Sequence, residues 1–487
     1  MNKQAPFHGG LTLTAHKHVS PIIESHLPKE LIYPLLQRAD NYATPCIKQG
    51  DHVLKGQVIA QANNSLCTPI HAASSGTIKT IAPHMIAHPS NLEDDCIIIS
   101  TDGLDESLPY SPCPNYQQET REQLLSKIQQ AGISGLGGAV FPTANKLSTP
   151  KNIQTLIING AECEPYISCD ESLVLQQAEQ IIQGTLILQH LLQAENCLIA
   201  IEDNMQQAAE ALQKAIRTHP SIQLKKVPSI YPIGGEKQLI QALTGHKIPA
   251  QSLPAEQGFI CQNIGTTHAI YQAIILGCPL TERIITVTGK GVVQTQNIRS
   301  RIGTPIKDLI KQAGGYNNSV KNLIMGGPMM GIALSTDEIA VTKASNCILV
   351  TSINEQSNHS PEMPCIRCGD CASVCPAELL PQQLLWYGRS KQLEQCQDHQ
   401  LFSCIECGCC DLVCPSHIPL VQQFRATKSA ITLKNKHAAQ AQLAKKRFQN
   451  QQKRRDKQEQ ELLAKAEKRK ATIEKMKAAS LARKKKP

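Results

Sequence analysis

Gly135-Leu-Gly137-Gly138-Ala-Val-Phe141-Pro142-Thr143-Ala-Asn-Lys146, followed by the apolar run 153–158 and then Asn159-Gly-Ala-Glu162-Cys-Glu164-Pro165, decides how the middle of this chain is built. Glycines let backbone N–H groups approach a phosphate closely, and Lys146 adds a fixed positive charge. Taken alone, G-x-G-G is as readily a plain turn. Its surroundings carry the reading further. A helix over 119–131 precedes the loop, ending at Gly132. After the 153–158 strand the pattern predicts a helix over 173–192, a strand over 197–201, a helix over 206–217 and a strand over 224–228. Strands alternating with helices predict a parallel sheet, with ligands at the carboxyl ends of its strands. Two carboxylates at such an end, Glu162 and Glu164, are poorly explained as core. They form either a solvated loop face or partners for ligand hydroxyls. Tyr231-Pro-Ile-Gly234-Gly235-Glu236-Lys237 and Gln262-Asn263-Ile-Gly265-Thr266-Thr267 are two further polar, glycine-containing segments. Together these segments point to a nucleotide or flavin pocket.

Toward the N-terminus, residues 30–100 alternate short apolar runs with turn signals, as in KQGDHVLKGQVIAQ and PIHAASSGTIKTI, predicting a small β-barrel or sandwich. The pattern resembles the biotinyl/lipoyl-type hammerhead. No lysine stands at its hairpin tip, Leu66-Cys67-Thr68-Pro69, so a swinging cofactor is not expected and the module reads as structural. Toward the C-terminus, ERIITVTGKGVV predicts a hairpin and TPIKDLIKQAGGY a short helix; residues 354–364 read as a linker.

Twenty cysteines in a chain whose N-terminus lacks a secretory pattern point to metal or redox chemistry rather than disulfides. Nine crowd into two windows: Cys365-Ile-Arg-Cys368-Gly-Asp-Cys371-Ala-Ser-Val-Cys375-Pro376 and Cys404-Ile-Glu-Cys407-Gly-Cys409-Cys410-Asp-Leu-Val-Cys414-Pro415. Each contains C-x2-C-x2-C-x3-C-P, the ligand spacing of [4Fe–4S] clusters, whose fourth cysteine serves the other cluster when two are present. One cluster is then expected on Cys365, Cys368, Cys371 and Cys414, and a second on Cys404, Cys407, Cys410 and Cys375. A pair of zinc ribbons is the rival reading, but zinc sites rarely need this spacing with a following proline. Cys409 is out of register and reads as a non-ligand. The other eleven cysteines show no ligand spacing and read as small buried hydrophobes; Cys396, between the cassettes, is the one set apart by its position.

The formal charge of +9 conceals two opposite parts. Residues 425–487 hold 21 Lys and Arg against 5 Asp and Glu, so the rest of the chain is net acidic. That tail is rich in Ala, Gln, Lys and Glu, and its one aromatic residue is Phe448. It reads as a solvated helical extension, or as a polybasic element meeting an anionic membrane face or an acidic partner. Nucleic acid is not expected, for want of aromatic residues to stack bases. No run reaches the length of a membrane span, and the chain is expected to be neither exported nor membrane-spanning.

With these residues in view, the chain resembles the RnfC (RsxC) component of the Rnf electron-transport complex along nearly its whole length, from FHGGLTLTAHK onward. Its middle is similar to the NADH- and FMN-binding subunit of respiratory complex I, through GLGGAVFPTANK, INGAECEP, GGEKQLI and QNIGTT. The resemblance implies a multidomain α/β protein. A β hammerhead (barrel-sandwich hybrid) spans 1–115, a Rossmann-like FMN/NADH domain 116–280 and a β-grasp (SLBB) domain 281–353. A ferredoxin-like 2[4Fe–4S] domain follows over 354–424, then the basic tail over 425–487. It implies that Gly135, Gly137, Lys146, Asn159, Glu162, Gly235, Glu236, Asn263 and Thr266 surround non-covalent FMN. Gly138, Phe141 and Glu164 would lie on the nicotinamide side. Ala161, Lys237, Gln262 and Gly265 depart from the complex I pattern at positions near the flavin. The implied activity is that of an NADH-dependent oxidoreductase component of an ion-translocating complex. It would sit peripherally on the cytoplasmic side of the inner membrane and pass electrons between NADH, FMN and the clusters, with the other subunits as partners. No general acid or base is expected. Rival readings are a cobalamin reductase, the diaphorase part of a soluble enzyme and a flavin-free electron relay.

Overall fold

The computed structural model describes residues 6–38, 41–353 and 361–483. The chain forms two compact units. One comprises Met1–Leu384 with Phe402–Val421, the other Leu385–Leu401 with Gln422–Pro487.

The first unit opens with two four-stranded antiparallel sheets. One has the order β2-β9-β8-β5, from β2 (Glu30–Pro34), β9 (Glu93–Thr101), β8 (Gly76–Met85) and β5 (His52–Val53). The other is β3-β4-β6-β7, from β3 (Leu36–Arg38), β4 (Asn41–Pro45), β6 (Val58–Ala62) and β7 (Ile70–His71). Leu31, Tyr33, Ile59, Ile78, Ile97 and Ile99 fill the interior at 0–1% exposure, as period-2 patterning requires. The expected β module is therefore present.

The α/β expectation also holds. A four-stranded sheet has the order β12-β11-β10-β13, with β12 (Ile222–Val227), β11 (Asn196–Glu202), β10 (Thr155–Gly160) and β13 (Phe259–Asn263). Every pairing in it is parallel. Around it lie α1 (Arg121–Gln130), α2 (Thr143–Leu147), α3 (Cys169–Leu192), α4 (Gln206–Ala215), α5 (Glu236–Thr244) and α6 (Ile264–Ile275). Several boundaries differ from expectation by a few residues, and two of them do so for clear local reasons. Helix α1 starts at Arg121 because Thr120 and Gln123 form a reciprocal capping box. Helix α3 begins four residues before 173 because the Glu162 carboxylate takes the N–H groups of Asp170 at 3.0 Å and Glu171 at 3.3 Å. Those donors have no partner inside the helix.

The third part is a six-stranded sheet, β1-β15-β14-β18-β16-β17, with α7 (Ile306–Gln312) as its helix. Its strands are β14 (Glu282–Thr288), β15 (Gln296–Arg301), β16 (Val320–Met325), β17 (Ile332–Leu334), β18 (Cys347–Ser352) and an early segment, β1 (Ile22–Glu24). The expected hairpin forms, but its return strand is β15 rather than GKGVV. Gly289 adopts φ +106°, and a Cβ there would lie 2.2 Å from the Val350 carbonyl oxygen, so the chain leaves the ladder at that point. Strand β1 pairs in parallel with β15. Nothing in the residue pattern announces this pairing, because a three-residue strand is too short for a period.

The cassettes carry two four-residue helices, α8 (Asp370–Ser373) and α11 (Cys409–Leu412). Between and after them come α9 (Pro381–Arg389), α10 (Leu393–Asp398) and α12 (Leu420–Arg483). The expected linker over 354–364 falls mostly outside the described residues. In the second unit Cys396 is fully buried on α10, and the Thr427 hydroxyl of α12 lies close to Gly388. Helix α12 is 64 residues long, roughly 96 Å at 1.5 Å per residue. Residues 432–480 of it are exposed throughout. No helix among the described residues is long and apolar enough to cross a membrane.

Candidate functional site

Asn159 and Asn263 are register partners at the carboxyl ends of β10 and β13, and each organises one side of a crevice. Asn263 caps α6, its Oδ1 accepting from the N–H groups of Gly265 at 2.8 Å and Thr266 at 3.3 Å. Its Nδ2 donates to Asp170 at 2.6 Å. Asn159 donates from Nδ2 to the Gly234 carbonyl at 2.9 Å, which draws in the loop leading to α5. The N-termini of α5 and α6 thus open near the strand ends, where partial positive charge favours an anion.

The glycine loop closes on itself through Gly135 N–H to Phe141 O at 2.8 Å and Val140 N–H to Gly135 O at 3.1 Å. It is tied to α6 by the Leu136 N–H donating to Thr266 Oγ1 at 2.9 Å. A Cβ on Gly137 would sit 3.4 Å from the Asn263 Cβ, while Gly138, at φ +99°, faces open space. Lys146 on α2 donates to Glu236 at 2.7 Å and to the Cys261 carbonyl at 2.5 Å. The structure therefore brings together Gly135, Gly137, Gly138, Lys146, Asn159, Gly235, Glu236, Asn263 and Thr266, with Phe141 closing the loop. Ser134 Oγ, Thr143 Oγ1 and Gln262 Nε2 are buried without a hydrogen-bond partner, a cost that an ordered water would relieve. A phosphate-bearing flavin suits the glycine loop, Lys146 and the N-termini of α5 and α6.

The two carboxylates at this strand end diverge. Glu162 is buried and caps α3, with the Cys169 thiol also donating at 3.3 Å; burial pushes its carboxyl up to about 7. Lys17 donates to the Glu162 carbonyl. Burial works against the lysine's charge, but Glu162, Glu202 and Glu171 outweigh it and hold its pKa above the usual value. Glu164 points elsewhere, accepting from the N–H groups of Met329 at 3.2 Å and Met330 at 2.9 Å. Burial raises it to about 7 as well. Lys17 and Asp170 were not anticipated as site residues, since neither carries a spacing signal.

The two cassettes repeat one backbone. Arg367 and Glu406 both have φ +59°, Gly369 and Gly408 +88° and +78°, Glu378 and His417 +54° and +51°. Left-handed non-glycine residues are strained and gather where a site over-determines them. Their recurrence at matching offsets marks both loops as shaped around their cysteines. All eight expected ligands are free thiols. Cys410 lies within electrostatic reach of Cys404, Cys407 and, from the other cassette, Cys375. Cys371 likewise feels Cys368 and Cys365. The Leu379 N–H donates to Cys375 Sγ at 3.4 Å. Sulfurs grouped in this way and served by backbone donors fit a cluster. Cys409 is fully buried, and its thiol hydrogen-bonds to Cys407, lowering the pKa of Cys407 and raising its own.

The fold defines the class: a multidomain protein built around an FMN-binding-type α/β domain. Residues 5–104 match the RnfC barrel sandwich hybrid domain, 128–272 the Nuo51 FMN-binding domain and 284–333 the SLBB domain. The chain is a homologue of the RnfC proteins of ion-translocating oxidoreductase complexes. It is 46% identical to the RnfC protein of Serratia proteamaculans (strain 568), over 88% of this chain and 61% of the relative. For the protein of Pseudomonas aeruginosa the identity is 44%, over 92% and 58%. For that of Pectobacterium atrosepticum it is 44%, over 92% and 65%. The chain thus spans about three fifths of the length of the curated relatives it matches. A crystal structure of an NAD+-reducing [NiFe]-hydrogenase in the H2-reduced state aligns with 65% of each chain at TM-score 0.47 and 16% identity, a likeness too slight to bear weight.

Proposed function

We propose that this chain is a peripheral component, on the cytoplasmic side, of a membrane-bound Rnf-type complex, exchanging electrons between NADH, FMN and two [4Fe–4S] clusters. The observation that carries this reading is the convergence of the glycine loop, Lys146 and the two asparagines on one crevice in a chain that also holds two ferredoxin-type cassettes. Bound FMN would accept a hydride and release its electrons singly, chemistry that side chains do not provide. The protein's part is binding and orientation. Lys146 and the N-termini of α5 and α6 would hold the phosphate, and Asn159, Asn263 and Glu236 the flavin's polar edges. Gly135 and Gly137 would leave room for the flavin, Gly138 and Phe141 would border the nicotinamide, and Gly235 and Thr266 would shape the loops. Glu162 and Glu164 would act from behind, one fixing α3 and the other the turn at Met329–Met330. Cys365, Cys368, Cys371 and Cys414 would ligate one cluster, and Cys404, Cys407, Cys410 and Cys375 the other. Coupling to ion movement would belong to the other subunits.

Anaerobic absorption and EPR spectra of the reconstituted full chain, before and after NADH, test the reading. Flavin bands that bleach as reduced-cluster signals appear support it. Clusters that stay oxidised in a chain retaining no flavin would replace it with the flavin-free relay.

A further inference from the structure

Apart from the flavin-type crevice, a cavity of about 240 Å³ lies where the hammerhead, the β-grasp part and the glycine loop meet. Leu36, Ile70 and Ile86 come from the first, Ile302 and Val341 from the second, and Val140 from the third. The polar side chains that reach this wall are already bonded within the protein. The Tyr33 hydroxyl oxygen accepts from the Ala73 N–H, Gln37 is bound to Thr68 through both ends of its amide, and Thr342 Oγ1 accepts from the Ala344 N–H. His88, exposed at the rim, pairs with Ser90. Lys343 directs its donors to Thr68, Pro69 and Gly132. What the wall offers a guest is therefore mainly apolar contact. Apolar cavities of about 150 Å³ already take up benzene or xenon. Val140 is the unusual wall residue. Its φ is +49°, an outlier for a β-branched side chain, and it sits inside the Gly135–Phe141 hydrogen bond that closes the glycine loop.

We propose that this cavity binds a neutral, apolar small molecule, and that its occupancy is coupled to the glycine loop through Val140. A guest packed against the Val140 side chain adds dispersion contacts that last only while the residue keeps its left-handed conformation. Such differential contact shifts a conformational equilibrium. The coupling is reciprocal, so whatever fixes the glycine loop also tightens the hold on the guest. The wall selects against charge. With the Lys343 ammonium engaged by three oxygens of the protein, a carboxylate or sulfonate in the cavity would give up its water without gaining a partner. Filling the site requires neither flavin nor NADH.

Equilibrium dialysis of the full-length chain against phenylnaphthylamine, a neutral probe, and its sulfonated analogue anilinonaphthalenesulfonate tests the site. The neutral probe should bind saturably, one per chain, and the sulfonate about tenfold more weakly or worse. Ala87→Phe, between β8 and β9, and Ala344→Phe, in the turn before β18, each bring a ring into the cavity from a half-buried position. Each should weaken the neutral probe by about tenfold or more, since a hydrophobic pocket resolves even one methylene. Should one variant fail to fold, judged by circular dichroism, the other decides. Equal or tighter binding of the sulfonate, or neutral-probe binding that a folded variant leaves unchanged, overturns the site. Displacement of the probe by naphthalene or by decane supports it and separates a ring from an alkyl chain as the source; displacement by neither overturns it. Hydrogen exchange reads the coupling. The Val140 N–H, bonded to Gly135 O, should exchange severalfold more slowly with the neutral probe bound, and unchanged exchange overturns the coupling.

Discussion

Lys343 Nζ donates to the Gly132 carbonyl at 2.7 Å from a site that is wholly buried, and the same ammonium reaches Pro69 O at 2.8 Å and Thr68 Oγ1 at 2.9 Å. One side chain of the β-grasp part therefore holds both the hammerhead's hairpin tip and the end of α1. The tip that carries no lysine of its own is clamped by one from more than 270 residues away. Arg283 runs alongside, donating to the carbonyls of Lys343 and Leu136, so the glycine loop hangs from the same junction.

Replacing Lys343 with Met removes the donor to the Gly132 and Pro69 carbonyls, each costing about 1–3 kcal/mol when buried, while Thr68 Oγ1 keeps its bond to Gln37. The expected loss is on the order of 3 kcal/mol, read as a lower denaturation midpoint. Burial lowers the Lys343 pKa from 10.5 to about 7. Between those values the unfolded chain binds the extra proton, so stability rises with pH across that window. The midpoint of the natural chain should climb from pH 7 toward 10 by more than that of Lys343→Met. Parallel pH profiles would refute the buried-amine account.

Lys146→Met should leave the fold nearly unchanged, because its ion pair with Glu236 is partly exposed and such pairs contribute at most about 1 kcal/mol. FMN retention, measured by fluorescence after gel filtration, should fall by about tenfold or more, the equivalent of one lost charge-assisted hydrogen bond. Undiminished retention would remove Lys146 from the flavin site.

Cys409→Ala should keep the full iron content, since Cys409 is out of register with the ligand spacing. It removes a thiol hydrogen bond to Cys407, and fewer donors to a ligand sulfur disfavour the more negative reduced state. The midpoint of the cluster on the second cassette should therefore fall. Loss of iron instead would make Cys409 a ligand.

Truncation after residue 424 removes the basic tail. The full chain should co-sediment with vesicles containing anionic phosphatidylserine, and the 1–424 chain should not, with binding lost at high salt. Equal behaviour of the two would make the exposed part of α12 a solvated extension.

What was legible in the sequence was whatever rests on local chemistry. The C-x2-C-x2-C-x3-C-P spacing defined both cassettes, because three of the four ligands for one cube come from neighbouring residues. The alternation of apolar runs identified the parallel sheet, since burial on both faces imposes it residue by residue. Glycines at 135, 137 and 138 marked the loop because side chains would fill the space it needs. Tertiary structure alone decided which long-range partners those segments take. Glu162 and Glu164 are two residues apart and read alike, yet one turns in to cap α3 and the other crosses to the turn at Met329–Met330. Strand β1, Lys17 and Lys343 carry no periodic signal, and each acquires its role from a residue more than a hundred positions away. Spacing encodes contacts that the chain makes with itself nearby; partners brought together only by closing the core leave no trace in it.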